Sequence, residues 1–405
     1  MRKTYCALVV SGAVLATACV LPALHAQAPI TATASVKTAL PATEMEKKGL
    51  EYLVSSQTKE GAWVPQFGPA ITSMALRAMI RGGMGLDHPA VKKGLEYLET
   101  KRQTDGGYYD PEAGRPTYNS ALVLNLFASI PGDAYKERIA KLQDFLKGIQ
   151  SGGAQVAKDD KGLEINKEHP WYGGFGYAGK GAKRPDLSNT HFVLEALHNS
   201  GIKADDPVMQ NALVFVSRCQ ANSETNNLPW AKGQDSGGLI YSTRWNDQLK
   251  LYGESFAGTT KDRDGNEILV AYGSMTYAGL KSFIYAGLTK DDPRVKAAVR
   301  WIAGNYTLDT NPGMPAQTAA DGLYYYYHTF GKGLAVYGED VLVDAKGIQR
   351  DWRKDLTERM KANQRPDGSW INLPKSEKEL SRWAEGEASY VTSLVVLSLQ
   401  DARGQ

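Results

Sequence analysis

Tyr324-Tyr325-Tyr326-Tyr327-His328 sets four phenols and an imidazole in five consecutive residues. On a helix Tyr324 and His328 are four apart and share a face. A wall of tyrosines suits a carbocation, a flat apolar ligand or a sugar ring; the same run could equally be a hydrogen-bonded core cluster. His191, Glu195 and His198 are spaced i, i+4, i+7 and fall along one helical face. Two imidazoles and a carboxylate are metal-ligand types, but the three span two turns and plain polar faces show the same pattern. No metal and no cofactor is expected. In "RWAEGEASY", Trp383, Glu385, Glu387 and Tyr390 stand just ahead of an apolar helix pattern. A glutamate buried there would have a raised pKa and could act as a general acid, although the dipole at a helix N-terminus favours glutamate for structural reasons alone. The catalytic candidates are therefore Glu385, Glu387 and His328. The ligand-binding candidates are Tyr324, Tyr325, Tyr327, His328, His191, Trp383 and Tyr390. "HPWYGGFGY" brings His169, Trp171 and Tyr172 together as a possible aromatic lid.

The elements that position these residues are repeated. "KKGLEYL" occurs at Lys47–Leu53 and again at Lys92–Leu98. Each copy runs into a turn, "SSQTKEGAW" or "KRQTDGGYY", and "ANQRPDGSW" repeats the spacing near the C-terminus. The common pattern is Gln-x3-Gly-x-aromatic, carried by Gln57, Gly61 and Trp63, by Gln103, Gly107 and Tyr109, and by Gln364, Gly368 and Trp370. An apolar helix pattern opening on Thr, Ser or Asn follows each turn. Weaker copies make six units, starting near residues 45, 90, 140, 210, 296 and 352, a period that signals a repeat architecture. In each unit an amphipathic outer helix leads through a glycine turn to a helix apolar nearly all round. The expected fold is all-α, an (α/α)6 toroid of six helical hairpins over residues 45–403, with a small β-hairpin insertion turning at Asp264-Gly265. The turn glutamines and tryptophans read as structural, each Gln amide bonding free N–H groups at a helix start. Chemistry would sit where the inner helices begin, at their positive dipole ends.

The "QTKEGAW" and "QRPDGSW" turns resemble the repeats of the squalene–hopene cyclase and protein prenyltransferase β-subunit superfamily. "DLSNTHFVLEAL", "YGSMTYAGLKS" and "GLYYYYHTFGKGLAVYG" look like exported bacterial proteins of the prenyltransferase/squalene-oxidase repeat type. The resemblance covers nearly the whole chain from residue 45 and implies a toroid whose axial cavity binds an isoprenoid or other apolar molecule. The departures concern chemistry. No Asp-x-Asp-Asp, the acid motif of hopene-forming cyclases, occurs. Cys219 has no Asp at the spacing of the prenyltransferase zinc site, and no Gly-Cys-Gly-Glu-Gln thioester is present.

Residues 1–28 read as an export signal, with basic Arg2 and Lys3, an apolar stretch at Ala7–Leu21 and a cleavage site around Ala26 and Ala28; residues 29–44 read as a linker. Lipoprotein anchoring at Cys19 is the lesser alternative. The predicted location is periplasmic or extracellular. Removing residues 1–28 leaves 45 basic against 44 acidic residues, which by itself decides nothing; no basic patch alternates with aromatics as a nucleic-acid groove requires, so nucleic acid is not expected as a partner. No later stretch is apolar enough to span a bilayer. Cys219 alone remains after cleavage, so the chain has no internal disulfide. Three readings follow: a toroid binding an apolar or isoprenoid-like ligand, perhaps isomerising or cyclising it; a non-catalytic protein that displays loops to other proteins; or a carbohydrate-active enzyme with paired carboxylates.

Overall fold

The computed structural model describes residues 43–404 except 113, 154, 178–183 and 374–381. The expected export segment and residues 29–42 of the linker lie outside the described residues. The helical repeat begins one residue early, at Glu44, because the Thr43 hydroxyl accepts from the Glu46 N–H and caps the helix.

Twelve α-helices lie among the described residues. The outer members of the six hairpins are α1 (Glu44–Ser55), α3 (Pro89–Glu99), α5 (Lys136–Gly148), α7 (Pro207–Arg218), α9 (Pro293–Gly304) and α11 (Trp352–Asn363). The inner members are α2 (Pro69–Arg81), α4 (Pro116–Ala128), α6 (Leu187–Asn199), α8 (Gly273–Tyr285), α10 (Leu323–Tyr337) and α12 (Ala388–Ala402). Outer α3 buries Ala90, Val91, Gly94, Tyr97 and Leu98, a single stripe. Inner α12 buries every residue from Tyr390 to Ala402.

The inner helices pack in a ring, α2 on α4, α4 on α6 and so on to α10 on α12, and α12 returns onto α2. Each outer helix rests on the inner helix that precedes it, α3 on α2, α5 on α4, α9 on α8, and α1 on α12. Every hairpin therefore leans on its neighbour, and the unit that holds the twelve helices is a closed helical toroid.

The turns explain the repeated heptapeptide. Gln57 Nε2 donates to the Gly61 and Ala90 carbonyls, at 3.0 and 2.8 Å, so it ties its own turn to the start of the next outer helix. Gln150 reaches Val208 and Gln220 reaches Arg294 in the same way. Gln364 donates to Met45 and closes the circuit. These amides serve carbonyl oxygens, not the free N–H groups expected from the sequence: the amide is used as a donor, and each first-turn carbonyl has a second lone pair to offer. Gly61 and Gly368 have positive φ, and a Cβ on them would lie 2.4 Å from the Lys93 oxygen and 2.5 Å from the Lys48 oxygen. The two "KKGLEYL" copies are the landing sites for these two turns. Trp63 and Trp370 donate Nε1–H to last-turn carbonyls of the preceding outer helix, Leu53 and Met360. The second turn is shifted by one residue from the sequence pattern. Its positive-φ glycine is Gly106, and its buried aromatic is Tyr108, whose N–H donates to Ser120. Gln103 accordingly reaches only carbonyls of its own turn.

The fold is not purely α. Three two-stranded antiparallel sheets occur, pairing β1 (Ser242–Asn246) with β2 (Leu251–Glu254), β3 (Thr259–Lys261) with β4 (Glu267–Leu269), and β5 (Val341–Val343) with β6 (Gln349–Asp351). Only β3–β4, whose turn is held by Asp262 accepting from the Asp264 and Asn266 N–H groups, had been read from the sequence.

Candidate functional site

The N-termini of the inner helices meet at one end of the ring. Ile71 of α2, Tyr118 of α4, Ser188 of α6, Met275 of α8, Tyr325 of α10 and Tyr390 of α12 each occupy the second or third position of their helix. Together they line a cavity of about 370 Å³. Loop rings complete it: Tyr177, Tyr241 and Tyr272 in the wall, Phe67, Phe256 and Trp383 towards the rim. Trp383 is 40% exposed, whereas Tyr272, Met275 and Ile71 are buried. Arg115 is the sole charged side chain in the lining, and no carboxylate or imidazole among the described residues lines it.

The cavity walls also carry backbone strain. Of the five non-glycine residues with positive φ among the described residues, Arg115, Trp383 and Ala384 are in the lining. A fourth, Val64, precedes the single turn Pro65–Phe67 that presents Phe67. Such residues concentrate where structure serves a site.

The sequence candidates divide by position. Tyr325, Trp383 and Tyr390 line the cavity. His191 lies directly behind the wall, with Nε2 at 2.6 Å from the Tyr325 hydroxyl, and Ser188 Oγ is 2.9 Å from the same hydroxyl. Burial, then the charge of Lys281, holds the His191 imidazole well below its usual pKa, so it is neutral. Its Nδ1 is buried without a partner. An orphaned acceptor costs less than an orphaned N–H, so the proton belongs on Nε2. His191 thus donates to Tyr325, which leaves the phenol proton for Ser188 or for an occupant of the cavity.

Glu385 is fully buried but faces α10, not the cavity. Its carboxylate accepts the Tyr325 N–H at 2.7 Å and the Asn372 amide at 2.6 Å. It caps α10 from another hairpin. Burial pushes its pKa up to about 7 against these donors. Glu387 pairs with Gln66 at the exposed surface. Tyr324 and Tyr327 do not line the cavity. Residues on one face of α10 can meet it only at one level, and the Tyr327 hydroxyl instead donates to the Leu308 carbonyl on the outer side. His328 lies one turn deeper, stacked on Phe192. His169 and Trp171 pack with the insertion, where His169 Nε2 meets Asp159 at 3.3 Å, and are not in the cavity lining.

Below the cavity the axis is filled by charge. Glu195 binds Arg77 at 3.2 Å and Asn125 at 3.0 Å, and also Lys281. Asp401 binds Arg81 at 2.9 Å and Lys332 at 3.2 Å. Glu195 is thus committed to cations and not to a metal shared with His191 and His198; the His198 ring packs tilted against Tyr285. The lining tyrosines 118, 177, 241 and 272 were not singled out in the sequence. For Tyr118 a signal existed: it is third in its inner helix, as are Tyr325 and Tyr390.

Neither a protein-family model nor a curated protein sequence matches the chain. Its structure is similar to that of a glycosidase at 12% identity, covering 89% of this chain and 96% of that one with a TM-score of 0.50. A type II terpene cyclase, MstE from Scytonema in complex with geranylgeranyl dihydroxybenzoate, aligns at 14% identity over 89% and 96%, TM-score 0.47. A family 88 glycosyl hydrolase from Bacteroides vulgatus aligns at 10% over 89% and 99%, TM-score 0.48. At these identities the likeness is one of fold, and it rests on the first of the three.

Proposed function

We propose that this protein is an exported, squalene cyclase-like (α/α)6 toroid that binds an apolar, isoprenoid-like small molecule in the cavity at the inner-helix N-termini. The observation that carries the reading is the cavity itself, of ligand size and walled mainly by aromatic rings. Apolar walls draw a hydrocarbon body out of water, and the Tyr325 hydroxyl, oriented by His191, gives one point of polar contact.

Binding is favoured over chemistry. Alkene protonation needs an acid against the ligand, and the buried glutamate nearest the site, Glu385, is turned to α10. Glycan cleavage needs two carboxylates across the substrate, and none faces this cavity among the described residues.

Native mass spectrometry of the full-length protein purified from its own cell envelope tests the reading. A co-purifying apolar small molecule is expected, and it should be lost in Ile71→Trp, whose added ring occupies the cavity. Absence of any adduct, together with no binding of farnesol added to the purified protein, would overturn it.

A further inference from the structure

Arg115 sits at the cavity rim, exposed to solvent, directly before α4. Its guanidinium lies over the Phe67 ring, 5.3 Å from the centroid. No carboxylate among the described residues pairs with it. Its backbone is left-handed, φ 61° and ψ 41°, a conformation unfavourable for a residue with a Cβ. Among the described residues this rim cation, beside an apolar cavity, has an aromatic ring for a partner and no anion.

The surrounding field has the same sign. The inner helices direct their positive dipole ends at the cavity. Glu385 offsets α10, and Asp186 offsets α6 by accepting the Asn189 N–H. The start of α4, beside Arg115, has no side-chain cap and no acidic residue in its first turn. At α2 and α8 the caps are neutral amides, Asn119 and Asn311. Across the ring from α4, Trp383 stands against Gly322 before α10 and closes the rim with apolar surface. One side of the mouth is therefore cationic and the other aromatic.

Resting on the binding reading above, we propose that the ligand is an anionic amphiphile, its hydrocarbon body in the aromatic cavity and its carboxylate or phosphate head on Arg115. The head stays partly in water at the rim, so it keeps most of its hydration while gaining a charge-assisted contact. Arginine suits this place because its planar fork can bond two oxygens of either head while its flat face remains stacked on Phe67.

Three probes with one hydrocarbon body separate head from tail: farnesol, farnesoic acid and farnesyl monophosphate, titrated into the full-length protein at low salt and followed by intrinsic fluorescence. At least one anion is expected to bind about tenfold more tightly than the alcohol, the range of a hydrogen bond to a charged group, and the preferred anion identifies the head. Arg115→Gln should bring the anions down to the level of farnesol, with a much smaller effect on farnesol itself; Arg115→Lys should keep part of the preference. Wild-type affinities equal for all three, or an Arg115→Gln loss as large for farnesol as for the anions, would show that Arg115 only packs on Phe67 and would overturn the head-group assignment while leaving the cavity's role intact. Failure of all three probes to bind would overturn both.

Discussion

Tyr325 and His328, one turn apart on α10, divide the cavity wall from the plug beneath it. Tyr325 touches the cavity; His328 lies below it, with Nδ1 at 3.4 Å from Ser398. Burial, then the charge of Lys281, brings the His328 pKa down to about 4 against the pulls of Glu195 and Asp401, with Arg77 adding the least. In the unfolded chain the imidazole titrates near its ordinary value of about 6.5. Between those two pH values the unfolded state binds the proton and the native state does not, so stability falls as pH drops from 6.5 to 4. Glu385, raised to about 7, and Asp186, raised to about 6 by burial, act in the opposite sense, because there the native state holds the extra proton. The His328 contribution therefore has to be read as a difference. Wild type should lose about 2 kcal/mol more than His328→Asn between pH 7.5 and pH 5, measured by urea unfolding at each pH. Parallel pH profiles would mean that His328 is charged in the fold. Tyr325→Phe tests the wall by the same method: it strands the buried His191 Nε2–H and should cost about 1–3 kcal/mol, with little loss if water takes the place of the phenol.

The recurrent element is the glycine turn that docks one hairpin on the next. Gly237 has φ 82°, and a Cβ there would fall 2.1 Å from the Ala297 carbonyl of α9. Gly265, at the tip of β3–β4, has φ 84° with open space around it. Both prefer glycine for backbone reasons, but only Gly237 also holds two hairpins in contact. Gly265→Ala should cost about 1 kcal/mol from the left-handed backbone. Gly237→Ala should cost about 3 kcal/mol or more, since α9 must move as well. Thermal unfolding of the two variants gives the comparison, and equal losses would show that the close approach is not needed. These turns were legible because their chemistry is local: a glutamine, a glycine and an aromatic within seven residues. The slip at Gln103 was not, because "DGGYY" offers two glycines and two tyrosines, and only the contacts with Lys141 and Ser120 select Gly106 and Tyr108. The axial ion network was invisible for the converse reason. Arg77, Glu195, Lys281 and Asp401 lie on four different helices, each set among apolar residues, and nothing local pairs them. The cavity was half legible. Tyr325 and Tyr390 stood in conspicuous runs, while Tyr241 and Tyr272 come from loops whose placement depends on β1–β2 and β3–β4.

Across the whole molecule, closure separates this fold from an open helical array, and α12 carries it on both sides. It packs on α10 and α11 in one direction and on α1 and α2 in the other. Gln400 Nε2 donates to the Ala78 carbonyl of α2, Arg403 pairs with the buried Glu46 of α1, and Asp401 holds Arg81 of α2 and Lys332 of α10. The ion plug also draws on the ring as a whole. Its four cations, Arg77, Arg81, Lys281 and Lys332, outnumber Glu195 and Asp401, and they lie in the later turns of inner helices, where parallel C-terminal dipoles add negative potential. A chain ending at Glu387 loses only α12. In an open array, where each repeat answers only to its neighbours, the first four hairpins would stay folded. In the ring, α2 and α10 both expose a buried face, Lys332 and Arg81 lose Asp401, and the cavity loses Tyr390. The truncated chain should therefore show no cooperative thermal transition, and amide exchange should become fast even in α4, α6 and α8, which are not ring neighbours of α12. Native-like protection in those three helices would mean that stability is built hairpin by hairpin and that closure only finishes the cavity wall.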